Sequence, residues 1–418
     1  MVGILRIHGG RPLQGSVVIS GAKNAVLPLL AACVAQSGCY RLEHCPHLTD
    51  VDATLDILSH LGCRVRWDGD AIEVDSRSVN CARIPREKMR RLRSSVIFLG
   101  ALLARCSRAK LWLPGGCCIG ARPIDLHLKA MRQLGAEVEL QGEEVRCTAM
   151  RLQGGTIVLP FPSVGATENI LLAALGCKEG VTVLNAAKEP EVVSLAQFLR
   201  AAGAKVWGEG TGEIHLTPGT PGQDTVFSVM PDRIETATYL CALAACGGKI
   251  CLEGAEAKYL LPVLDALREA GVRLRVEQNR IEAKCRATRA VKALRTGPYP
   301  GFPTDAQAPM MAALLRAQGI SCLEETVFEH RFRHVKALRD MGANIDVLGQ
   351  TAVITGVRRL HGADVAATDL RGGAAMVIAA LGAEGMSQIR ETKHIFRGYD
   401  GLCQKLSGLG ARICLQEG

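Results

Sequence analysis

The hydrophobic and polar positions of the chain repeat one amphipathic pattern that is typical of a surface helix. In VDATLDILSHLG, PIDLHLKAMRQLG and LPVLDALREAG, apolar residues return every three or four positions, as a single buried helix face requires. Each stretch ends at a glycine and runs on to an aliphatic residue, which predicts a left-handed helix end followed by a strand. Six such glycines recur at intervals of 68 to 73 residues: Gly62, Gly135, Gly203, Gly271, Gly342 and Gly410.

A second type of helix precedes each amphipathic one and is apolar on most of its faces. Examples are GAKNAVLPLLAACVAQSG and DLRGGAAMVIAALGAEG, whose alanine and glycine content predicts buried, closely packed helices. Each repeat therefore reads strand, buried helix, strand, amphipathic helix, strand, strand. Three repeats around their apolar helices would close one domain, so we expect an α/β protein with two three-repeat domains. The boundary is expected in the Pro- and Gly-rich residues 217–233, with a ligand between the halves.

Composition and charge narrow the class of protein further. No apolar run is long enough to span a bilayer and the first residues lack a secretory signal, so we expect a cytoplasmic protein without membrane insertion. The 17 cysteines include no Cys-x-x-Cys pair, which gives a metal site no support. The net charge of +9 is dispersed and no aromatic RNA-binding motif accompanies it, which favours an anionic metabolite over nucleic acid.

Each predicted buried helix carries a polar residue at its N-terminal edge. Lysine and arginine are unfavourable there because the helix dipole is positive at that end. Four of the six residues are nevertheless basic, which favours an anionic ligand at these helix starts, although solvent-facing charges would give the same pattern. The six residues are Lys23, Arg93, Glu168, Arg233, Asp305 and Arg371.

Residues 114–126, PGGCCIGARPIDL, form a glycine-rich loop that contains a candidate nucleophile. A thiol exposed beside Arg122 is expected to be reactive, because positive charge stabilises the thiolate. A tight turn with an incidental thiol would read the same way, and the pattern does not decide between Cys117 and Cys118. We expect a helix to begin near Asp125, with that residue as its N-cap.

Longer motifs identify the family that the chain resembles. SGAKNAVLP, LPGGCCIGARPIDLH, PSVGATENI, PDRIETAT, FPTDAQAP, TVFEHRFRHV, ATDLR and HIFRGYD occur in the order found in the UDP-N-acetylglucosamine 1-carboxyvinyltransferases, enolpyruvyl transferases of peptidoglycan synthesis. The resemblance covers the whole chain. It implies the EPSP-synthase-like fold, two inside-out α/β barrel domains of three repeated βαβαββ-like units each. The first domain is expected at 21–229 with the Cys117 loop, the second at 1–20 plus 230–418, and the active site in the cleft between them.

The family's reaction assigns roles to the candidate catalytic residues. The 3'-hydroxyl of UDP-N-acetylglucosamine attacks C2 of phosphoenolpyruvate while C3 gains a proton, and phosphate then leaves. The resemblance implies that Cys117 donates the proton at C3 and that Asp305 receives or orients the hydroxyl proton. It also implies that Lys23, Arg122 and Arg397 clamp phosphoenolpyruvate. No cofactor is implied.

The resemblance further implies a substrate-binding set around these residues. Asn24 is expected beside Lys23, Arg331 and Arg371 are expected to add positive charge, and Asp369 is expected to hold Lys23 in place. The expected contacts of the nucleotide sugar are Arg93, Arg122, Pro123, Ile124, Asp125, Leu126, Ser163, Val164, Gly165, Asp305 and Val327. The chain departs from some family members at Thr49 and Phe161, where those members carry lysine, and this departure could weaken nucleotide binding.

Other functions are separable by simple observations. A transferase acting on shikimate 3-phosphate shares the fold but lacks the Pro-Gly-Gly-Cys loop, and a catalytically silent paralogue would bind without turnover. An RNA-end-modifying enzyme on a related fold would need a nucleophilic histidine, whereas the ten histidines here are scattered. Phosphate release with each acceptor discriminates among them. The expected partners are the two small-molecule substrates, with no nucleic acid, in a monomer or weak homo-oligomer.

Overall fold

The computed structural model describes residues 3–113, 124–220 and 224–417. The chain divides into two compact units. One, which we call the terminal unit, is built from the residues up to Ser20 and those from Pro231 onward. The other, the middle unit, is built from residues between Gly21 and Met230. Within the described ranges, no helix is both long and apolar enough to cross a membrane.

Helices and strands alternate along both units. In chain order the helices are α1 (Lys23–Ala35), α2 (Thr49–Leu61), α3 (Arg86–Arg91), α4 (Phe98–Cys106), α5 (Asp125–Gln133), α6 (Val164–Ala174), α7 (Pro190–Ala201), α8 (Arg233–Cys246), α9 (Leu261–Glu269), α10 (Thr304–Leu314), α11 (Val335–Asp340), α12 (Leu370–Gly382) and α13 (Leu402–Gly408). Short 3-10 turns lie at Arg93–Ile97, Ala257–Tyr259 and Thr392–His394.

The strands are short, as expected for repeated small sheets. In chain order they are β1 (Gly3–His8), β2 (Leu13–Val18), β3 (Cys39–Glu43), β4 (Arg64–Asp68), β5 (Ala71–Asp75), β6 (Arg108–Trp112), β7 (Glu137–Gln141), β8 (Glu144–Thr148), β9 (Gly155–Val158), β10 (Val181–Leu184), β11 (Lys205–Trp207), β12 (Glu213–Thr217), β13 (Thr225–Ser228), β14 (Gly248–Glu253), β15 (Arg273–Glu277), β16 (Arg280–Cys285), β17 (Ala293–Arg295), β18 (Ile320–Glu324), β19 (Asn344–Leu348), β20 (Thr351–Thr355), β21 (Asp364–Ala366), β22 (Met386–Arg390) and β23 (Arg412–Glu417).

The apolar helices form the centre of each unit. In the middle unit α1, α4 and α6 pack against one another, and in the terminal unit α8, α10 and α12 do the same. Their small side chains make this possible: a Cβ on Gly100 of α4 would stand 2.2 Å from the backbone oxygen of Asn169 in α6. Because helices of this composition can be buried on all sides, the sheets lie outside them and the unit is turned inside out.

The amphipathic helices end as their sequence predicts. All six repeat glycines are left-handed, with φ between +84° and +103°. In every repeat the residue after the glycine donates its N–H to a carbonyl five positions earlier, at 2.9 to 3.1 Å, as in Cys63 to Leu58 and Ala411 to Leu406. This is the Schellman bond that closes a helix and turns the chain outward. The predicted helix-to-strand switch is therefore confirmed at each glycine.

The sheets reveal how the repeats exchange strands. In the first repeat β13 pairs in parallel with β3, and in the fourth β2 pairs in parallel with β14. The sixth repeat receives β1, which lies antiparallel between β22 and β23. The second repeat has the three-stranded sheet β6-β8-β7 and replaces a first strand with one parallel bridge, Arg83 to Lys110. Strands distant in sequence thus complete three of the six sheets.

Candidate active site

The N-terminal ends of the three central helices of the terminal unit meet around Asp305. One carboxylate oxygen of Asp305 accepts a hydrogen bond from Arg331 at 2.7 Å, and the other accepts one from Arg371 at 2.9 Å. Arg371 also donates to the Tyr399 hydroxyl at 3.1 Å, and that hydroxyl lies 2.9 Å from Thr238 of α8. Side chains from α8, α10 and α12 are therefore joined in one polar network.

The two arginines of this network are almost inaccessible. Their side chains are 4% and 3% exposed, whereas that of Asp305 is 28% exposed. Burial opposes the charge of Arg371, yet Asp305, Tyr399 and Asp232 together raise the pKa of its guanidinium, so it stays cationic. Asp305 neutralises one of the two charges, and that Arg331 and Arg371 together add positive charge stays a prediction for the charge that remains. Their fork geometry holds the carboxylate in one orientation.

Asp369 has a task within the terminal unit that the sequence did not indicate. Its Oδ1 accepts hydrogen bonds from the backbone N–H groups of Arg371 at 3.1 Å and Gly372 at 3.0 Å, as the N-cap of α12. Burial opposes its ionisation, but the N–H of Gly372 and the charge of Arg331 bring the pKa of its carboxyl below the usual value. In the middle unit, Lys23 pairs with Asp50 at 2.7 Å, and a contact between Lys23 and Asp369 stays a prediction. Asp369 therefore positions Arg371 by fixing the start of α12.

Glu325 is a buried residue that the sequence reasoning missed. One of its oxygens accepts from the backbone N–H of Val327 at 2.9 Å, and the other from the Thr304 hydroxyl at 2.9 Å. It therefore ties the half-buried Val327 segment to the first turn of α10, next to Asp305. The only signal in the sequence is a glutamate just before the motif TVFEH, a position that gave no reason to expect burial.

In the middle unit, Lys23 and Asn24 open α1. The Lys23 side chain is 12% exposed and its partner Asp50, in the first turn of α2, is 4% exposed. Asn24 is exposed beside it. A lysine at the first position of a helix opposes the dipole, and the buried Asp50 carboxylate offsets this cost. The Lys23 ammonium is thus held at a helix start, where an anion would also meet backbone N–H groups.

Three of the expected contacts of the nucleotide sugar, Ser163, Val164 and Gly165, lie at the start of α6. Ser163 is the N-cap, and its hydroxyl accepts from the Ala166 N–H at 3.4 Å. Val164 and Gly165 follow as half-buried residues in the first turn, before the first intrahelical bond, which Thr167 makes to Ser163 at 2.9 Å. A helix start with N–H groups still to be satisfied is suited to an anion.

A buried histidine supports this turn. A Cβ on Gly165 would lie 3.2 Å from Cε1 of His127, so the glycine lets the helix start approach the ring closely. His127 Nδ1 lies 2.8 Å from the Asn169 amide, and burial lowers the pKa of the imidazole to about 4. The ring is consequently neutral near pH 7 and acts as a packing surface.

Not every predicted helix-edge residue lies at an edge. Lys23 and Arg233 stand first in α1 and α8, and Asp305 and Arg371 stand second in α10 and α12. Glu168, by contrast, is the fifth residue of α6 and is buried, because the helix begins earlier, after the Ser163 cap. Burial raises the pKa of its carboxyl well above the usual value, because desolvation disfavours the charged form.

The remaining predicted residues differ in what can be said of them. Cys117, Arg122 and Pro123 lie outside the described residues, and Arg93 is described only as the start of a 3-10 turn. Asp125 is the first residue of α5 and exposed; Ile124 precedes it as N-cap, so the predicted Asp125 cap is wrong. The other two are half-buried: Leu126 in α5, and Arg397 shortly after the last 3-10 turn.

The positions where the chain departs from some family members are also visible. Thr49 is the first residue of α2, adjacent to Asp50. Phe161 is 48% exposed, and its carbonyl accepts from the Ser163 N–H at 2.7 Å. An apolar ring therefore stands at the approach to the start of α6, at the position where the resemblance implies a lysine in some family members.

Comparison with known proteins identifies relatives of the chain. The profile of EPSP synthase (3-phosphoshikimate 1-carboxyvinyltransferase) matches residues 7–406. UDP-N-acetylglucosamine 1-carboxyvinyltransferase 2 of Caldanaerobacter subterraneus is 45% identical over 414 residues, 99% of each chain. The enzyme of the same name from Carboxydothermus hydrogenoformans is 46% identical, over 97% of this chain and 98% of that one.

Solved structures extend the comparison to the fold. The enolpyruvyl transferase NikO of Streptomyces tendae superposes with a TM-score of 0.90 at 26% identity, covering all of both chains. EPSP synthase of Acinetobacter baumannii gives a TM-score of 0.73 at 18% identity, covering 99% of this chain and all of that one, which concerns the fold alone. From its full-length relatives, its profile match and its six-repeat α/β architecture, the chain belongs to the enolpyruvyl transferase family, among the UDP-N-acetylglucosamine 1-carboxyvinyltransferases.

Proposed function

We propose that this protein transfers the enolpyruvyl group of phosphoenolpyruvate to the 3'-hydroxyl of UDP-N-acetylglucosamine and releases phosphate. This is the first committed step of peptidoglycan synthesis, and we expect it to run in the cytoplasm. One observation carries the proposal: relatives named for this reaction are 42–46% identical over 96–99% of the chain. We assign roles in the reaction to residues of each unit.

The terminal unit supplies the group that handles the acceptor hydroxyl. Arg331 and Arg371 hold the two oxygens of Asp305 while more than a quarter of its side chain stays exposed. We assign to Asp305 the proton of the sugar hydroxyl as its oxygen bonds to C2 of phosphoenolpyruvate. Preorganisation by two fixed guanidinium groups supports this role, since the carboxylate needs no reorientation during the reaction.

The addition and the elimination balance around C3. As the O–C2 bond forms, C3 takes a proton, which we assign to the Cys117 thiol. In the second step C3 loses a proton, the C2–C3 double bond forms again and phosphate leaves C2. Lys23, Arg122 and Arg397 are the cations assigned to the phosphate and carboxylate. We assign the binding of the diphosphate of UDP-N-acetylglucosamine to the backbone N–H groups at Val164 and Gly165.

A transfer to shikimate 3-phosphate is the second candidate, because the matching profile bears the name of that enzyme. Phosphate release measured with phosphoenolpyruvate and each acceptor in turn tests both. We expect release with UDP-N-acetylglucosamine and background with shikimate 3-phosphate. The reverse result would replace the proposal, and absence of release with either would favour a silent paralogue.

The thiol assignment has its own test. Cys117→Ala should remove most of the phosphate release, while the neighbouring Cys118→Ala should retain it. The epoxide fosfomycin, which mimics phosphoenolpyruvate, should add its mass to the peptide at Cys117. Modification of Cys118 instead would show that the wrong thiol has been assigned.

A further inference from the structure

Much of the net charge of the protein lies in one segment of the terminal unit. Residues 271–300 carry eight basic and two acidic side chains, so this segment alone has a charge of +6 out of +9 for the whole chain. The segment covers β15, β16, β17 and the residues that connect them. Its basic residues are Arg273, Arg275, Arg280, Lys284, Arg286, Arg289, Lys292 and Arg295.

Three cations stand side by side on the outer face of the sheet. The strand register pairs Lys284 with Lys249 on one side and with Arg273 on the other. All three are exposed, and none forms an ion pair within the part of the chain that the structure describes. Like charges directly opposite each other on neighbouring strands are destabilising. The repulsion among these three cations therefore destabilises the folded state and is not offset by ion pairs within the described residues.

Neighbouring cations on the same strands are neutralised, which sets the row apart. Arg275 pairs with Glu277 at 3.1 Å, and Arg280 pairs with Glu282 at 3.0 Å. The sheet thus has one end where charges are balanced and one end where they are not. Arg286, exposed just beyond β16, extends the unbalanced end.

The unbalanced end coincides with the C-terminal ends of the central helices. Arg316, just after α10, donates to the carbonyl of Gly382 in α12 at 3.1 Å, and a Cβ on Gly382 would lie 3.1 Å from the carbonyl oxygen of Ala245 in α8. The three helices therefore end together. The strands β14, β18 and β22 begin within a few residues of these ends.

Two large apolar side chains share this end of the unit. Ile320 and Met386, the first residues of β18 and β22, are 61% and 47% exposed. We call the combined surface the basal face and define it by Lys249, Arg273, Lys284, Arg286, Ile320 and Met386. Since α8 has 14 residues, the basal face lies about 20 Å along the helix from Arg233 and the polar network around Asp305.

We propose that the basal face binds the surface of an anionic lipid bilayer. Exposed cations beside isolated apolar side chains suit an acidic headgroup region, where the cations gain electrostatic attraction and the apolar groups enter the interface. Nucleic acid is the less suitable partner, because no aromatic residue occurs between Tyr259 and Tyr299 on which bases could stack. Binding through this face leaves the helix N-terminal ends turned toward soluble substrates.

Cosedimentation of the full chain with vesicles tests the proposal. Vesicles containing phosphatidylglycerol should retain the protein at low salt, and pure phosphatidylcholine vesicles should not. The triple variant K249Q/R273Q/K284Q should bind roughly a hundredfold more weakly, because each surface cation contributes about a factor of five. I320S/M386S should weaken binding by a smaller factor that salt does not change.

A matched triple variant controls for net charge. R64Q/K178Q/K205Q removes three exposed cations from the middle unit and should bind vesicles almost as well as the native chain. Phosphate release should be the same in both triple variants. Equal loss of vesicle binding in the two variants, absence of binding to anionic vesicles at low salt, or tighter binding to duplex DNA than to vesicles would each overturn the proposal.

Discussion

The two units begin their central helices in different ways. In the terminal unit, Asp232 caps α8 through the N–H groups of Ile234 and Glu235 at 2.7 and 2.9 Å, and Asp369 caps α12 in the same way. In the middle unit, α1 begins after Ala22, which provides no side-chain cap, and α6 has only the 3.4 Å bond to Ser163.

This difference shows how each unit uses the polar groups at its helix starts. Carboxylate caps satisfy the starts of α8 and α12 from within. Helix α10 has no side-chain cap, but Asp305 in its first turn joins the arginine network, so the buried arginines are part of the framework. The middle unit leaves more of its helix-start N–H groups for a ligand, and the Lys23 ammonium is held at the start of α1. We therefore expect changes in the caps and the Asp305 network of the terminal unit to affect stability most. Changes at the helix starts of the middle unit should affect substrate turnover most.

The largest effect is expected for Asp305→Ala. This change leaves Arg331 and Arg371 buried without their partner, and breaking a buried pair in this way costs about 3–5 kcal/mol of unfolding free energy. Denaturant unfolding measures it. The matched control is Asp364→Ala, which removes an exposed ion pair with Arg390 and should cost at most about 1 kcal/mol. Equal costs would mean that the Asp305 network is not a framework element.

A large loss of activity is expected for Lys23→Met. Removing a preorganised charge next to the reacting groups should lower kcat/KM by roughly 10²- to 10³-fold. Phosphate release measures this, and Lys178→Met, an exposed lysine of the same unit, is the control. A kcat/KM within threefold of the native value would remove Lys23 from the proposed clamp.

The caps themselves give a direct contrast between the units. Asp369→Ala removes two hydrogen bonds and should cost about 1–2 kcal/mol of unfolding free energy, whereas Asp369→Asn, which still caps, should cost less. Ser163→Ala removes one long bond and should cost about 0.5 kcal/mol. Thermal or denaturant unfolding of the three variants checks the order, and a larger cost for Ser163→Ala would contradict the contrast.

A further prediction concerns the pH dependence of the terminal unit. Glu235 accepts from Lys405 at 2.7 Å and from the Ser20 N–H at 2.8 Å, and burial raises the pKa of its carboxyl to about 7. The folded chain therefore holds a proton that the unfolded chain loses near pH 4.5. Stability contributed by this group should fall as the pH rises from 4.5 to 7, by at most about 1.4 kcal/mol per pH unit.

Comparing the native chain with Glu235→Gln isolates the pH-dependent contribution of the Glu235 carboxyl to the unfolding free energy. The glutamine has no proton to lose, so the difference in unfolding free energy between the two proteins should change across this pH range and level off above it. A difference that is constant from pH 4.5 to 7 would show that Glu235 titrates normally in the folded state.

The repeat architecture could be predicted from the sequence because its signals are local. A glycine after an amphipathic run specifies a left-handed helix end without reference to the rest of the chain, and all six glycines follow this rule. The α/β fold of two three-repeat domains is confirmed by similarity to solved enolpyruvyl transferases. Strand exchange is different, since nothing local indicates that β2 pairs with β14.

The site was predicted less completely, because its contacts join distant residues. Asp305, Arg331 and Arg371 were each singled out, but their mutual neutralisation depends on how α10 and α12 pack. Asp50 was missed because an acidic residue in the first turn of an amphipathic helix is ordinary in sequence. Glu168 was misplaced because spacing alone cannot reveal that Ser163 starts the helix a turn earlier.

The pairing of β1 and β2 with strands much later in the sequence sets the order in which the two units can be completed during synthesis. Since β1 lies between β22 and β23, the terminal unit cannot close until the ribosome has released the last strand, although its first strand was made at the outset. The middle unit, whose last strand is β13, is complete much earlier. During synthesis β1 and β2 therefore meet their partner strands only after the middle unit has been made.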